Sequence, residues 1–432
     1  DADVCGYVPH AALRVYVMGE RGADRAPATS EDLTEMARLV REAVAAGAMG
    51  FSSSRTIFHR SSDGKPAPTF QSADAEFNAL AMALRDCGKG VMQKIIDLDD
   101  AEAAFGSMRR AVEQSGRPLS FTLFEGARGI VSVRWTEILH WLEQANAQGL
   151  PIKGQVAGRA IGFMFGHELT LNPFYSTGTY RSLAHLPFAE RIAQLRRPEI
   201  RARILAEPVD PDPANVLGRM VRDFDVMFLL GDPPNYEPAP DQSITAEARR
   251  RGMSPAALAY DLMLERDGRN LLYYAAANYE HGSLEACLAM MRSDGAVLGL
   301  GDGGAHCGTI CDGSIPTFML THWARDRRRG ERLSLPWIVR SLTRDTARTV
   351  GLLDRGILAP GYKADLNVID FDKLQLHAPE VAYDLPGGGR RLLQRANGYA
   401  ATIVSGALVT RDGGPTGTLS GRLVRGPQAA PQ

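Results

Sequence analysis

Nothing in this sequence approaches the ~20 consecutive apolar residues that a membrane-spanning helix needs, although 44% of its 432 residues are hydrophobic. No charge of one sign dominates either. The 49 Lys and Arg nearly balance the 50 Asp and Glu, so composition gives no reason to expect nucleic acid or an anionic membrane as partner. The densest basic run, Arg325-Asp326-Arg327-Arg328-Arg329, is broken by an acid and reads as a solvated helix end. Cysteine is scarce and unpaired in pattern. Cys5, Cys87, Cys287, Cys307 and Cys311 are odd in number and lack a disulfide-framework spacing, which points to a reducing, cytoplasmic setting. No signal peptide and no internal repeat are visible, and the chain opens on Asp1 rather than Met.

What is present is ordinary globular composition and enough length for one large domain with a smaller one. Short apolar runs alternate with helical patterns over the first three-quarters. Leu13–Gly19 reads as a strand, followed by a helix capped at Thr29 or Ser30, with Glu31 and Asp32 in its first turn. Strands follow at Met49–Ser53, Val91–Ile96, Leu119–Phe124, Ile152–Val156 and Ala296–Leu300. Helices are expected around Ala75–Leu84, Asp100–Glu113 and Arg134–Ala147. Six strands alternating with helices of this length argue for parallel βαβ units. The pattern leaves a doubly wound sheet and a (β/α)8 barrel both open; a barrel needs eight strands, so two would lie before Asp1. The excursion at 157–278, rich in Gly, aromatics and Pro, reads as an active-site lid or inserted subdomain, with a plain helical insertion as the alternative. The expected division is a partial barrel over 1–349 carrying that insertion, a small β domain over 350–426 and a tail at 427–432.

Val297-Leu298-Gly299-Leu300-Gly301-Asp302-Gly303-Gly304-Ala305-His306 is the most informative stretch. An apolar strand ends in an acid set among glycines that let a substrate come close. At the C-terminal end of a barrel strand, Asp302 is placed to ligate a metal or move a proton; the alternative is an Asp that caps a turn. Gly299, Gly301 and Gly304 also match G-x-G-x-x-G, but no helix opens at the third glycine, which argues against a dinucleotide site. His306, Cys307 and Cys311 match no usual zinc spacing and read as structural. His59, in the loop after Met49–Ser53, is a candidate site residue, whereas His281 reads as lying just before a helix N-cap.

Several segments are familiar together: Pro9-His10-Ala11-Ala12-Leu13-Arg14 running into Val17-Met18-Gly19-Glu20-Arg21, then Ala46-Gly47-Ala48-Met49-Gly50-Phe51-Ser52-Ser53-Ser54-Arg55-Thr56. Asp302-Gly303-Gly304-Ala305-His306 and Asp354-Arg355-Gly356-Ile357-Leu358-Ala359-Pro360-Gly361-Tyr362-Lys363-Ala364-Asp365-Leu366 follow. Over essentially the whole chain they resemble N-acyl-D-amino-acid deacylases (D-aminoacylases) of the amidohydrolase superfamily. The resemblance implies a metal-dependent hydrolase of linear amide C–N bonds on a (β/α)8 TIM barrel, flanked by a small β-sandwich domain built from both chain ends. It implies that Asp302 shuttles a proton beside a metal-activated water. The superfamily's His-x-His on the first strand and Cys after the second would precede Asp1, so the chain is expected to be a fragment, inactive as given.

The superfamily's His ligands after the fifth and sixth strands are absent. Met92-Gln93-Lys94-Ile95-Ile96-Asp97 and Thr122-Leu123-Phe124-Glu125-Gly126 stand there instead. Lys94 could serve as a charged substrate contact and Glu125 as an oxygen ligand; one Zn2+ ion is expected rather than two. Arg55, Lys94, Gln155 and Arg159 come from segments at the expected mouth of the barrel and are candidate contacts to a substrate carboxylate. The expected partner is a small acylated amino acid or amide, with no nucleic acid and no membrane; homo-oligomerisation is left open. A second reading is a barrel that has lost catalysis and serves in binding or assembly. A third, cyclic-amide hydrolysis, is disfavoured because Met49–Ser54 has no Lys.

Overall fold

The computed structural model describes residues 1–432 apart from 129–130, 209–217, 219, 300, 302 and 304–305. Six strands, Val8–Pro9, Gly50–Arg55, Val91–Ile96, Leu119–Thr122, Ile152–Val156 and Ala296–Leu298, form one sheet in that order, every neighbouring pair parallel. Sequential order decides the question that periodicity left open. A doubly wound sheet reverses its strand order at a switch point; this one never does. Its covering helices also share one face: Phe77 of the helix Asp74–Cys87 meets Phe51, and Phe105 of the helix Ala101–Ser115 meets Phe121. The sheet is the wall of a TIM barrel, with six strands among the described residues.

One expected strand is a helix. Leu13–Gly19 lies largely within the helix His10–Met18, and the first strand is instead the short Val8–Pro9. Buried positions His10, Leu13, Arg14 and Met18 fall at helical spacing, while Tyr16 is 78% exposed. The β-branched Val15 and Val17 misdirect the reading, because one-sided burial at i, i+3 and i+4 outweighs local strand preference.

The other helices form for legible reasons. Thr29 caps Ser30–Ala45 in a reciprocal box with Asp32, and Met36, Ala37, Val40 and Val44 make its buried face. In Asp74–Cys87 the buried stripe is Phe77, Leu80, Ala81 and Leu84, and Gly88 ends the helix at φ 65°. Gly50 opens its strand at φ 139°, where a Cβ would collide with the Val91 carbonyl oxygen at 1.9 Å.

The 157–278 excursion contains a three-stranded antiparallel sheet, with Leu272–Ala277 between Ile161–Phe165 and Met227–Leu229, among short helices. The C-terminal part carries the antiparallel sheets of the small β-sandwich: Leu366–Ile369, Tyr399–Val404, Ala407–Arg411 and Gly414–Pro415 in one, and the hairpin Glu380–Leu385/Gly389–Leu393 beside it. Val4 bridges Leu423 and joins the first residues to it. The last residues, read as a tail, are tied down: the Gly426 N–H donates to Gly47 and Gln428 bridges Leu352. The basic run at 325–329 also departs from a solvated helix end, because Arg327 is buried against Glu237 and Trp323. Among the described residues no helix is long and apolar enough to cross a membrane.

Candidate active site at the strand ends

Alternation along the strands sorts the side chains into two faces. Phe51, Ser53, Met92, Lys94 and Phe121 lie against the helices. Ser53 bonds to His10 Nδ1 at 2.9 Å, and Lys94 Nζ lies 4.3 Å from the centre of the Phe77 ring. The opposite, inner face is polar. Gln93 and Ser120 are register partners there, Gln155 Nε2 donates to Ser120 Oγ at 2.8 Å, and Gln93 Nε2 donates to Gln155 Oε1 at 3.5 Å. Barrel interiors are ordinarily filled by branched apolar side chains; an amide–amide–hydroxyl chain, Gln93 to Gln155 to Ser120, instead offers both donors and acceptors to a polar ligand.

Each candidate residue can be placed on this frame. Gln155 belongs to the inner wall and packs against Gly299, where a Cβ would stand 3.1 Å from that of Gln155. His59 is half-buried, with Nδ1 hydrogen-bonded to Ser54 Oγ at 2.6 Å, at the C-terminal end of the Gly50–Arg55 strand. Arg55 donates to Asp74 at 2.7 Å on the helix layer. Lys94 is on that same side and apart from Gln155; burial first, and then the like charge of Arg55, pulls its ammonium down to about 8.

Arg159 is buried and held by the protein. Its guanidinium donates to the Cys311 carbonyl and Asp312 at 2.8 Å and to Ser314 at 3.1 Å, over the ring of Tyr236. Glu125 is buried three residues beyond the Leu119–Thr122 strand. Its backbone N–H donates to Asn278, and its carboxylate accepts from the Glu280 N–H at 3.2 Å. His281 lies 3.8 Å away, and burial raises the Glu125 pKa. Asp302 lies outside the described residues. On either side of its segment the chain is anchored: the Gly299 N–H donates to Val156, and the His306 carbonyl accepts from Thr309 and Ile310. Cys311 is buried, which pushes its thiol up to about 11, away from the thiolate a metal would need.

The structure thus gathers Gln155 with Ser120 and Gln93, and His59 with Ser54, and sets Arg55 and Lys94 on the other face. Ser120, Asn278 and Asp312 escaped the sequence reading. Ser120 was accessible to it, because it shares the period-two face of Thr122 in Leu119–Thr122. Asn278 and Asp312 were not, because each meets its partner across more than a hundred residues. Among the described residues no three His, Cys, Asp or Glu side chains converge as a metal centre.

Comparison with known proteins agrees with this architecture. The chain is 26% identical over 445 residues to an uncharacterized protein of Mycobacterium tuberculosis, covering 95% of this chain and 68% of that one. Over 101 residues, 22% of each chain, it is 36% identical to a 5-methylthioadenosine/S-adenosylhomocysteine deaminase of Desulfitobacterium hafniense. In fold it is similar to a crystal structure of D-aminoacylase (TM-score 0.57, 20% identity, 96% of this chain and 70% of that one). It is also similar to N-acyl-D-glutamate deacylase from Bordetella bronchiseptica, complexed with zinc and a phosphonate inhibitor (TM-score 0.54, 18% identity, 98% and 72%). The profile of the amidohydrolase family matches residues 4–410. The chain belongs to the amidohydrolase family and to the hydrolases that act on carbon–nitrogen bonds other than peptide bonds.

Proposed function

We propose that the chain hydrolyses a linear amide, the substrate being a small N-acyl-D-amino acid. The observation that carries this reading is the inner wall. Gln155, bonded to Ser120 and Gln93, offers amide donors and acceptors beside Gly299, three residues before Asp302. A neutral amide bond is recognised by such groups without the desolvation cost of a charged partner. Water adds to the carbonyl carbon, Asp302 accepts one of its protons and returns it to the nitrogen, and the C–N bond breaks; the second water proton passes from the new acid to the amine, leaving a carboxylate and an ammonium. Of the candidate contacts, Gln155 and His59 are the ones retained for substrate.

Zinc accompanies this reading, because the fold relatives include the zinc-bound deacylase and a D-aminoacylase described by one-metal activation and second-metal attenuation. The chain's own donors to one ion would be Asp302 and Glu125. The described residues do not make a complete ligand set, so no step is routed through the metal.

The test is Asp302→Asn, assayed on a panel of N-acyl-D-amino acids with chelated and zinc-supplied protein. The variant should lose about 10²-fold or more in kcat/KM. Full activity in it sinks the proposal. The binding-protein alternative draws on the same wall, where the inner positions at the ends of Val91–Ile96 and Leu119–Thr122 are Ile95 and Thr122 rather than strong ligands. Elemental analysis showing no bound metal, together with no turnover across the panel, would favour it.

A further inference from the structure

A cavity of about 810 Å³ opens at the N-terminal ends of the barrel strands, the end opposite His59 and Glu125. Gln93, Ser120, Glu125 and Gln155 take no part in it. Three neighbouring strands each bring a cation to its wall. Lys89 stands two residues before Val91–Ile96, Arg117 two residues before Leu119–Thr122, and Lys153 is the second residue of Ile152–Val156. These strands pair in parallel, with Met92 opposite Leu119 and Leu119 opposite Ile152. The cations therefore follow one another along the rim, one per strand, at a strand spacing of about 4.8 Å. Arg348, in the helical turn Thr346–Thr349, adds a fourth.

The wall is short of anions. Seven basic side chains line the cavity against two carboxylates, Asp294 and Asp345. Arg292 pairs with Glu331, and Arg340 and Arg344 share Asp345. Lys153 Nζ donates to the Asp294 carbonyl; burial lowers its pKa, and Asp294 and Asp345 support its charge. Lys89, Arg117 and Arg348 have neither a carboxylate nor a side-chain hydrogen-bond acceptor among the described residues, and Arg117 Nε is buried in that state. With every carboxylate counted, cations remain in excess. A cleft lined by one sign of charge focuses its potential on whatever enters. Several guanidinium and ammonium donors together match phosphate oxygens, whereas a single carboxylate leaves most of the excess unanswered. We propose that this cavity is a second binding site, for a small polyphosphate anion, inorganic or esterified to a nucleoside, held by Lys89, Arg117, Lys153 and Arg348. Trp337, also on the wall, offers a ring on which a nucleoside base stacks. The volume lies within the range of small-molecule sites. The inference is independent of the amide-hydrolase reading, because nothing in it involves turnover.

The experiment is equilibrium dialysis of the intact chain against tripolyphosphate, ATP and acetate in turn, without magnesium and at constant ionic strength. Tripolyphosphate should bind saturably, one per chain, with acetate weaker by about tenfold or more. Lys89→Ala and Arg117→Ala should each weaken tripolyphosphate by about tenfold. Should either variant not fold, Arg348→Ala, on an exposed side chain, gives the same reading. Arg390→Ala removes an exposed cation that does not line the cavity and should leave binding unchanged. ATP binding tighter than tripolyphosphate supports the site with the base on Trp337; equal affinities support it for the phosphate chain alone. Acetate binding as tightly as tripolyphosphate overturns the proposal. So does Arg390→Ala weakening binding as much as Arg117→Ala, which would mark diffuse attraction to surface charge, or no saturable binding of either phosphate probe.

Discussion

Lys94 is 1% exposed, packed on Phe77, and its Nζ has no hydrogen-bond acceptor among the described residues. The sign of its effect on stability follows from the direction of its shift. Its folded value, about 8, lies below the ordinary 10.5, so between those values the unfolded chain holds more protons and stability rises with pH. Below about pH 8 the folded chain carries the whole penalty, about 3 kcal/mol. Lys94→Met should therefore stabilise the protein by up to that amount at pH 7 and erase the rise between 8 and 10.5; denaturant titrations at the two ends of the window measure both. Equal stability of the two proteins at pH 7 would show that the amine finds a partner. The face that Lys94 occupies was legible in the sequence, since Met92, Lys94 and Ile96 share one parity and Gln93 the other. A charge at a strand end draws the eye toward the mouth of a barrel, and here parity outweighs it.

Among the elements, the segment after the Gly299–His306 run is held by a residue from another strand's exit. Arg159 reaches the Cys311 carbonyl, Asp312 and Ser314, and the Met164 N–H donates to Thr309 in the same stretch. Arg159→Met removes the cation from a buried pair, which costs about 3–5 kcal/mol. The loss should appear in equilibrium unfolding and should shrink when Asp312→Asn is already present, because the two share one interaction. Were Arg159 a substrate contact alone, the same substitution would raise KM and leave the unfolding midpoint in place. Element types were mostly readable. The capping box at Thr29, the stripe Phe77–Leu84 and the strands Val91–Ile96 and Ile152–Val156 stand where local pattern puts them. The helix His10–Met18 was not, because its polar buried positions, His10 and Arg14, pair with Glu76 from a helix more than sixty residues away. A sequence window shows the burial period only when the buried residues are apolar.

Across the whole molecule, the long excursion is fastened to the rest of the chain by Glu237, which is 3% exposed. Its carboxylate accepts from the Leu284 N–H at 3.0 Å, from Arg327 at 2.9 and 3.1 Å, and bonds to His322 at 2.8 Å. One side chain thus joins the Pro-rich turn, the helix Glu285–Arg292 and the end of the helical turn Met319–Asp326. Burial alone would raise its pKa, but His322, Arg327 and the Leu284 N–H outweigh burial and bring it down to about 2. Because the folded value lies below the ordinary 4.5, the stabilisation is complete above pH 4.5 and is lost as pH falls toward 2, about 3 kcal/mol in all. Glu237→Gln keeps the size of the side chain and cannot titrate, but leaves Arg327 buried without its charge partner. Its thermal midpoint should drop at neutral pH, and the wild-type advantage should narrow steadily from pH 4.5 downward. Scanning calorimetry of both proteins across that range reads the difference directly. Curves that stay parallel would mean that Glu237 carries no pH-linked stability.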